Sequence, residues 1–211
     1  LSPDGLYLIY YKESNWWSYS LLTHEHRDLT SKLNVGWDNH EYDPGSMLSV
    51  HGVAGWTGTS QVIINDRYDL WSIDVTSGKT VRLTRGREQR QRFRIHSPMG
   101  NPFNYSGRYL RNLDFSKDIL LEVFAHVDSS TGFAYYNAKQ GLHSIYLNAS
   151  KTSRHRIAGD VHVYVEERYD LSPQHTIRKD RGEPVVKVGS NLHKKNYAWG
   201  SARLFSYTNS K

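Results

Sequence analysis

The feature that most constrains the fold of this chain is an internal repeat with a period of 54 residues. A shift by 54 positions aligns residues 6–30 with residues 60–84 without any insertion. The identical pairs under this shift are Ile9 and Ile63, Trp17 and Trp71, Ser18 and Ser72, Leu29 and Leu83, and Thr30 and Thr84. Because a period of a few tens of residues is typical of stacked supersecondary units, the chain is predicted to repeat one small structural unit.

Each copy of the repeat has the composition of short β-strands separated by turns. β-branched and aromatic residues form the runs at residues 6–11 and 61–65, and further such runs follow at residues 16–21 and 70–75. This composition suits a pleated, half-buried surface. Gly78 supplies the turn before a third strand. Three or four strands per unit, with a tryptophan in each unit, predict the blades of a β-propeller.

A third, degraded unit follows the two clear copies. Residues 31–55 are interpreted as a loop insertion plus the strand that enters the next blade, and residues 114–118 as a turn before a strand. Further strands are predicted at residues 119–125, 132–136, 142–147, 154–157 and 161–166. No amphipathic stretch of helical period accompanies them. The predicted fold class is therefore all-β, a partial β-propeller of about three to four blades of antiparallel sheet.

Composition narrows the classes of function. The 211 residues include no cysteine, which excludes a disulfide framework, thiolate zinc sites and cysteine nucleophiles. No run approaches the roughly 20 apolar residues of a membrane helix, so we expect no membrane span. The net charge is +6, and a basic balance is compatible with a nucleic-acid partner. The densest basic run comprises Arg82, Arg85, Arg87, Arg90, Arg92 and Arg94. We interpret this run as a solvated loop leading into a strand, and expect no nucleic acid as partner.

Two sets of motifs resemble known propeller families. S-P-D-G at residues 2–5, followed by Y-L-I-Y-Y, is similar to the repeats of propellers related to the periplasmic protein TolB. The motifs G-W-T at residues 55–57, N-D-R-Y-D-L-W at residues 65–71 and L-T-R-G at residues 83–86 resemble the propeller of bacterial prolyl oligopeptidase-family serine peptidases. K-N-Y-A-W-G-S-A at residues 195–202 resembles the segment where such enzymes enter their α/β-hydrolase domain.

The resemblance implies a division of the chain and a role for it. Residues 1–195 would be blades of an incomplete ring, and residues 196–211 would begin the connection to a hydrolase domain that this chain does not contain. The opening at Leu1 inside a turn motif also predicts a piece of a longer protein. The chain has no G-x-S-x-G nucleophile motif. We therefore predict no catalytic, cofactor-binding or metal-ligating residue here, and no cofactor.

The predicted function is the non-catalytic propeller portion of a serine peptidase of this family, which gates and orients peptide substrates for the hydrolase domain of the parent protein. The resemblance implies dipeptidyl peptidase-like enzymes and an exported, periplasmic location. The alternative is a TolB-like propeller that binds a protein or a glycan and has no enzymatic activity. Under either hypothesis an incomplete ring exposes blade edges and faces, so we expect self-association.

Several smaller patterns have competing interpretations. Glu166 and Glu167 are either an acidic pair that holds a peptide amino terminus or solvated acids at a strand end; the second is favoured because neighbours in a strand point to opposite faces. His24 and His26 have a spacing that could hold a metal, but fall in a predicted exposed turn. Residues 39–43 contain acid–base side chains that are interpreted as a hydrogen-bonded loop.

The six tryptophans also have two interpretations. They are either stacking platforms for sugars or bases, or packing groups between blades. Packing is favoured because Trp17 and Trp71 recur at the same position of the repeat. The remaining tryptophans are Trp16, Trp37, Trp56 and Trp199.

Overall fold

The fold consists of four antiparallel sheets in chain order. The computed structural model describes residues 1–39, 50–96, 112–179, 184–188, 196–198, 200–203, 205 and 207–208. Sheet 1 contains β1 (Tyr7–Lys12), β2 (Asn15–Ser20) and β3 (His26–Asp28); sheet 2 contains β4 (Val53–Thr57), β5 (Gln61–Asn65), β6 (Leu70–Asp74) and β7 (Thr80–Arg82); sheet 3 contains β8 (Gln91–Ile95), β9 (Ile119–Ala125), β10 (Thr131–Asn137) and β11 (Gly141–Asn148); sheet 4 contains β12 (Lys151–Ala158), β13 (Val161–Arg168), β14 (Leu171–Lys179) and β15 (Pro184–Val188).

In each sheet, strands that are neighbours in sequence are hydrogen-bonded neighbours in space. This up-and-down order is the topology of a propeller blade. Three of the sheets have four strands, and sheet 1 has three within the described residues. The chain is an all-β partial β-propeller, as the repeat and the strand pattern predict.

The 54-residue repeat corresponds to strands β1–β3 and β5–β7. The threonine after the third strand bonds back to the second strand in both copies. In sheet 1, the hydroxyl of Thr30 accepts a hydrogen bond of 2.8 Å from the amide of Trp16. In sheet 2, the hydroxyl of Thr84 accepts one of 3.1 Å from the amide of Leu70. The two copies of the repeat therefore share the same hydrogen bond, which joins the threonine after the third strand to the second strand.

Three apolar clusters join successive sheets. The first lies between sheets 1 and 2, and its buried members are Trp16, Leu29, Trp37, Val53, Trp56, Val62, Ile64, Ile73 and Val75. The second lies between sheets 2 and 3, and its buried members are Ala54, Ile63, Leu70, Phe93, Leu113, Phe115, Leu121, Val123, Ala134 and Tyr136. The third, between sheets 3 and 4, is smaller and contains Leu120, Phe133 and Tyr164. Alternating side chains of sheets 2 and 3 thus pack against the sheet on either side.

Three strands of the structure are not predicted by the pattern of the sequence: β8, β14 and β15. The arginines of the run containing β8 favour a solvated loop. β14 contains Pro173, which has no amide hydrogen and usually argues against a central strand. Pro173 is tolerated because the pairing of β13 with β14 shifts between Glu166 and Arg168, and because β15 pairs with β14 only from His175 onward.

Candidate functional site

A cleft of about 580 Å³ lies between sheet 3 and the first strand of sheet 4, and four arginines are among the residues that line it. β8 lines one wall with Arg92 and Arg94, which occupy alternate positions and therefore share one face of the strand, and His96 follows directly after it. Phe93, between them, points to the opposite face and is buried in the second apolar cluster. One face of β8 thus belongs to the core and the other to the cleft.

β12 supplies the other wall through a distorted segment. Its pairing with β13 shifts register between Ser153 and Arg156, which is a bulge-type irregularity. Within it, Arg154 has a φ of 53°, in the left-handed region that residues other than glycine rarely adopt. Bulges of this kind re-aim side chains and are frequent next to functional sites. Arg154, His155 and Arg156 all line the cleft.

Four arginines and one residue with a carboxylate, Glu122, line the cleft. Arg94 is anchored, since it donates hydrogen bonds to the backbone carbonyls of Phe93 and Asp66 at 2.8 and 2.7 Å. The guanidinium of Arg92 lies 5.0 Å from the ring centre of Phe124. Because four cations face one anion, the electrostatic potential in the cleft is positive and favours an anionic ligand.

The other charged side chains of the cleft differ in how firmly they are held. Arg156 donates to the carbonyl of His155 at 3.0 Å. Arg154 is exposed, and no hydrogen bond or ion pair to another described residue is found for it. The carboxylate of Glu122 lies 2.9 Å from His96 Nδ1, and its charge offsets part of the positive field. Arg154 is thus the cation most available to a ligand.

Behind the cleft, aromatic rings and histidines form a buried layer. His162 is fully buried and stacks on Phe133, with ring centres 4.7 Å apart and planes within 7°. Its Nε2 lies 2.7 Å from the hydroxyl of Tyr135, and its Nδ1 lies 2.8 Å from Nε2 of His155. Burial, together with the neighbouring His162 and His96, lowers the pKa of His155 to about 3. His155 is therefore uncharged at neutral pH, and the layer supports the wall of the cleft.

The acidic pair at the end of β13 is split between two environments. Glu166 is buried, and its carboxylate accepts hydrogen bonds from Asn148 and from the Ser150 hydroxyl, the latter at 2.9 Å. Glu167 instead pairs with Lys151 at 2.7 Å. The interpretation of both as solvated acids is wrong for Glu166, because side chains of the neighbouring strands satisfy its oxygens. The two carboxylates do not converge on one ligand position.

The two histidines near the turn of sheet 1 are held by tyrosines. Nδ1 of His24 lies 2.8 Å from the hydroxyl of Tyr19, and Nδ1 of His26 lies 2.8 Å from that of Tyr10. Both histidines are exposed, as predicted for this turn. Within the described residues, no group of three or more metal-ligating side chains is present. Of the loop at 39–43, the part from residue 40 onward lies outside the described residues.

Part of the arginine run pairs with buried carboxylates. Its interpretation as a solvated loop is wrong for Arg82, which ends β7 and is partly buried, whereas Arg87 is exposed as predicted and still pairs with a buried aspartate. Arg82 lies 2.7 Å from Asp69, and Arg87 lies 2.7 Å from Asp66. Both aspartates are completely buried. Burial raises the pKa of Asp69, although the amide of Gly86 donates to its carboxylate at 2.6 Å. The error arises because nothing in the local sequence marks an aspartate as buried.

Four of the five tryptophans that the structure describes confirm the packing interpretation, and Trp17 does not. Trp16, Trp37 and Trp56 are buried in the first apolar cluster, and Trp71 packs against it. Trp17 is half-buried and stacks on Tyr10, on the opposite face of sheet 1. Trp199 lies outside the described residues.

Comparison with known proteins leaves the chain without an assigned family. No protein-family profile and no curated protein matches it. Among solved structures, a protein assigned as TolB from Agrobacterium tumefaciens matches with a TM-score of 0.33 and 17% sequence identity, over 88% of this chain and 78% of that chain. No helix in the described part of the chain has the length and hydropathy to cross a membrane.

Proposed function

We propose that the chain is a non-catalytic binding module that holds a peptide in the cleft between sheets 3 and 4. The observation that carries this proposal is the wall of the cleft formed by β12. Within the described residues β12 is an edge strand, since β13 is its one strand partner in sheet 4. An edge strand offers unpaired backbone groups to an extended peptide, and neighbouring side chains select the sequence. Arg154 and Arg156 lie on that strand and in the cleft.

The finer proposal is that the module gates and orients peptide substrates for a hydrolase domain of a prolyl oligopeptidase-type serine peptidase. The motifs at residues 55–57, 65–71 and 83–86 support it by resemblance, as does the segment at residues 195–202. In that arrangement residues 196–211 lead into the hydrolase domain, which supplies the serine nucleophile. A hydrolase domain encoded after residue 211 of the parent gene would agree with this proposal, and a different domain there would contradict it.

The test of peptide binding uses the purified chain and short fluorescent peptides in an anisotropy titration. We expect saturable binding that is lost when the cleft is filled by Ser153→Trp, because Ser153 lines its wall. Ser201→Trp is the matched control, since Ser201 is exposed and does not line the cleft. Equal binding by both variants would contradict the assignment of the site, and no binding by the unaltered chain would contradict the function.

The second candidate is a module that binds a protein or a glycan and serves no enzyme. The observation in its favour is the aromatic face of sheet 1, where Tyr10 stacks on Trp17 with ring centres 6.5 Å apart. Tyr19 and His26 adjoin them, with ring centres 4.6 Å apart. Saturable binding of a neutral oligosaccharide that is lost in Trp17→Ala would favour this candidate over the first, since Trp17 lies outside the arginine cleft.

A further inference from the structure

We propose that the cleft recognises a carboxylate group, carried by the peptide either at its carboxyl terminus or on an acidic side chain, and that Arg154 is the residue that binds it. This inference rests on the proposed function, since it names the chemistry by which the same cleft selects its peptide.

The charge of the cleft favours an anion of low charge. Four arginines line it together with Glu122, which carries one opposing charge. Arg94 is bound to the carbonyl oxygens of Phe93, Asp66 and Arg67. Arg156 is bonded to the carbonyl of His155 at 3.0 Å, so a ligand meets fewer than four available guanidinium groups, with that of Arg154 foremost. A singly charged carboxylate needs only one such guanidinium, with which it can form two parallel hydrogen bonds.

The position of Arg154 singles it out among the four. It is the cleft arginine that has a left-handed φ, at the irregularity between Ser153 and Arg156. Such a backbone conformation is costly for a residue with a side chain, and strain of this kind is concentrated at ligand-binding positions. No described residue bonds to the guanidinium of Arg154, so it can form two parallel hydrogen bonds with an incoming carboxylate. Its place on the edge strand β12 puts this contact beside the backbone of the bound peptide.

The chain contains a matched control for Arg154. Arg90 is also an exposed arginine with a left-handed φ, of 52°, and it does not line the cleft. Asparagine tolerates the left-handed conformation better than most residues. Arg154→Asn and Arg90→Asn therefore remove the same charge from the same backbone conformation, one inside the cleft and one outside it.

The experiment measures affinity for three labelled peptides. The first has a free carboxyl terminus and no acidic residue, the second is the same peptide with a terminal amide, and the third is the amidated peptide with one residue replaced by glutamate. We expect at least one carboxylate-bearing peptide to bind about tenfold more tightly than the amide. The peptide that gains affinity identifies the source of the carboxylate. Arg154→Asn should abolish this preference, and Arg154→Lys should show part of the preference of the unaltered chain. Arg90→Asn should leave the preference unchanged.

Equal affinity for all three peptides, or equal effects of the two asparagine variants, would overturn the inference. Preferred binding of a single-stranded oligonucleotide at the same arginine would overturn it as well. A second measurement tests the carboxylate site separately from the proposed peptide function. In it, acetate and inorganic phosphate are titrated while the arginine Nε–H signals are followed by NMR. If acetate perturbs Arg154 but no peptide binds, the carboxylate site stands and the peptide function fails. If phosphate alone perturbs it, or neither does, the carboxylate site is refuted.

Discussion

His155 Nε2 lies 2.8 Å from His162 Nδ1, and this contact joins the wall of the arginine cleft to the buried aromatic layer between sheets 3 and 4. On the other side of the ring, His162 Nε2 lies 2.7 Å from the hydroxyl of Tyr135. Two imidazoles and one phenol are thus hydrogen-bonded in series, and the lowered pKa of His155 keeps its imidazole neutral at pH 7. An added proton would place a charge in a buried layer that already faces four arginines across the cleft wall.

Acid should weaken the folded state through His155. The pKa of His155 is lowered from 6.5 to about 3, chiefly by burial, so the unfolded chain binds a proton that the folded chain does not take up between these values. This contribution to stability is complete above pH 6.5 and is lost as pH falls toward 3. We expect the free energy of unfolding in urea to fall between about pH 7 and about pH 5.

The matched variants for this prediction are His155→Phe and His24→Phe. His155→Phe should reduce the dependence of unfolding free energy on pH, because the titrating group in the buried layer is gone. His24 is exposed, so its replacement should leave the dependence unchanged. The prediction fails if the two variants retain the same pH dependence as the unaltered chain.

Asp69→Asn should be strongly destabilising. Asp69 is fully buried and binds Arg82, the hydroxyl of Thr84 and the amide of Gly86. The amide nitrogen of asparagine cannot accept the hydrogen bond from Arg82, and a buried polar group that loses its partner typically costs roughly 1–3 kcal/mol. Glu88→Gln is the control, because Glu88 also pairs with Arg82, at 2.6 Å, but its side chain is 56% exposed. We expect a much smaller loss for this variant in urea unfolding, because solvent screens an exposed ion pair. Similar losses for both would show that burial does not determine the effect.

The strands that can be predicted from the sequence are those with local signals. The predicted bounds of β5 and β9 agree with the observed ones, because each is a run of mostly apolar residues, several of them β-branched, between clear turns. β8 escapes prediction, since its alternation of arginine with Phe93 and Ile95 resembles a charged loop until a core is available to bury the apolar face. If the same alternation is interpreted as a strand, Arg92 and Arg94 lie on one face of it. This is the feature of the sequence from which one wall of the cleft could have been predicted.

The candidate site itself depends on distant parts of the chain. Arg92 and Arg154 are 62 positions apart and meet only because sheets 3 and 4 are adjacent. The environment of Glu166 likewise depends on Asn148 and Thr176, which belong to different strands. Composition and periodicity report which face of a strand is apolar, but not which sheet packs against it. Local patterns therefore predict the blades and cannot predict the cleft.

Gly132→Ala should destabilise sheet 3. A Cβ atom at Gly132 would overlap the backbone carbonyl oxygen of Tyr146 on the neighbouring strand β11, where no flexible side chain can move away. Overpacking of this kind typically costs roughly 1–3 kcal/mol. Gly36→Ala is the control, because a Cβ atom added there would have no neighbour within 4 Å and the φ of Gly36 is not left-handed. Equal melting temperatures for the two variants would argue against the close approach of β10 and β11.

The outer face of sheet 1 is predicted to mediate self-association. Leu8 on this face is 43% exposed, yet its equivalent under the 54-residue shift, Val62, is completely buried against sheet 1. Tyr10 is likewise partly exposed, whereas its equivalent Ile64 is completely buried. The repeat thus places on this face side chains of the kind that pack against a neighbouring sheet. A second copy of the chain can supply such a sheet, and so bury this apolar surface.

Sedimentation velocity over a range of concentrations checks this prediction. The sedimentation coefficient should rise with concentration for the unaltered chain, and Leu8→Lys should weaken the rise because a charge cannot be buried without a partner. Leu22→Lys is the matched control, since Leu22 is 76% exposed and lies in the turn after β2. A concentration-independent monomer for the unaltered chain would refute the prediction. An equal loss of association in both variants would place the contact elsewhere, because Leu22 lies outside the face that the repeat identifies.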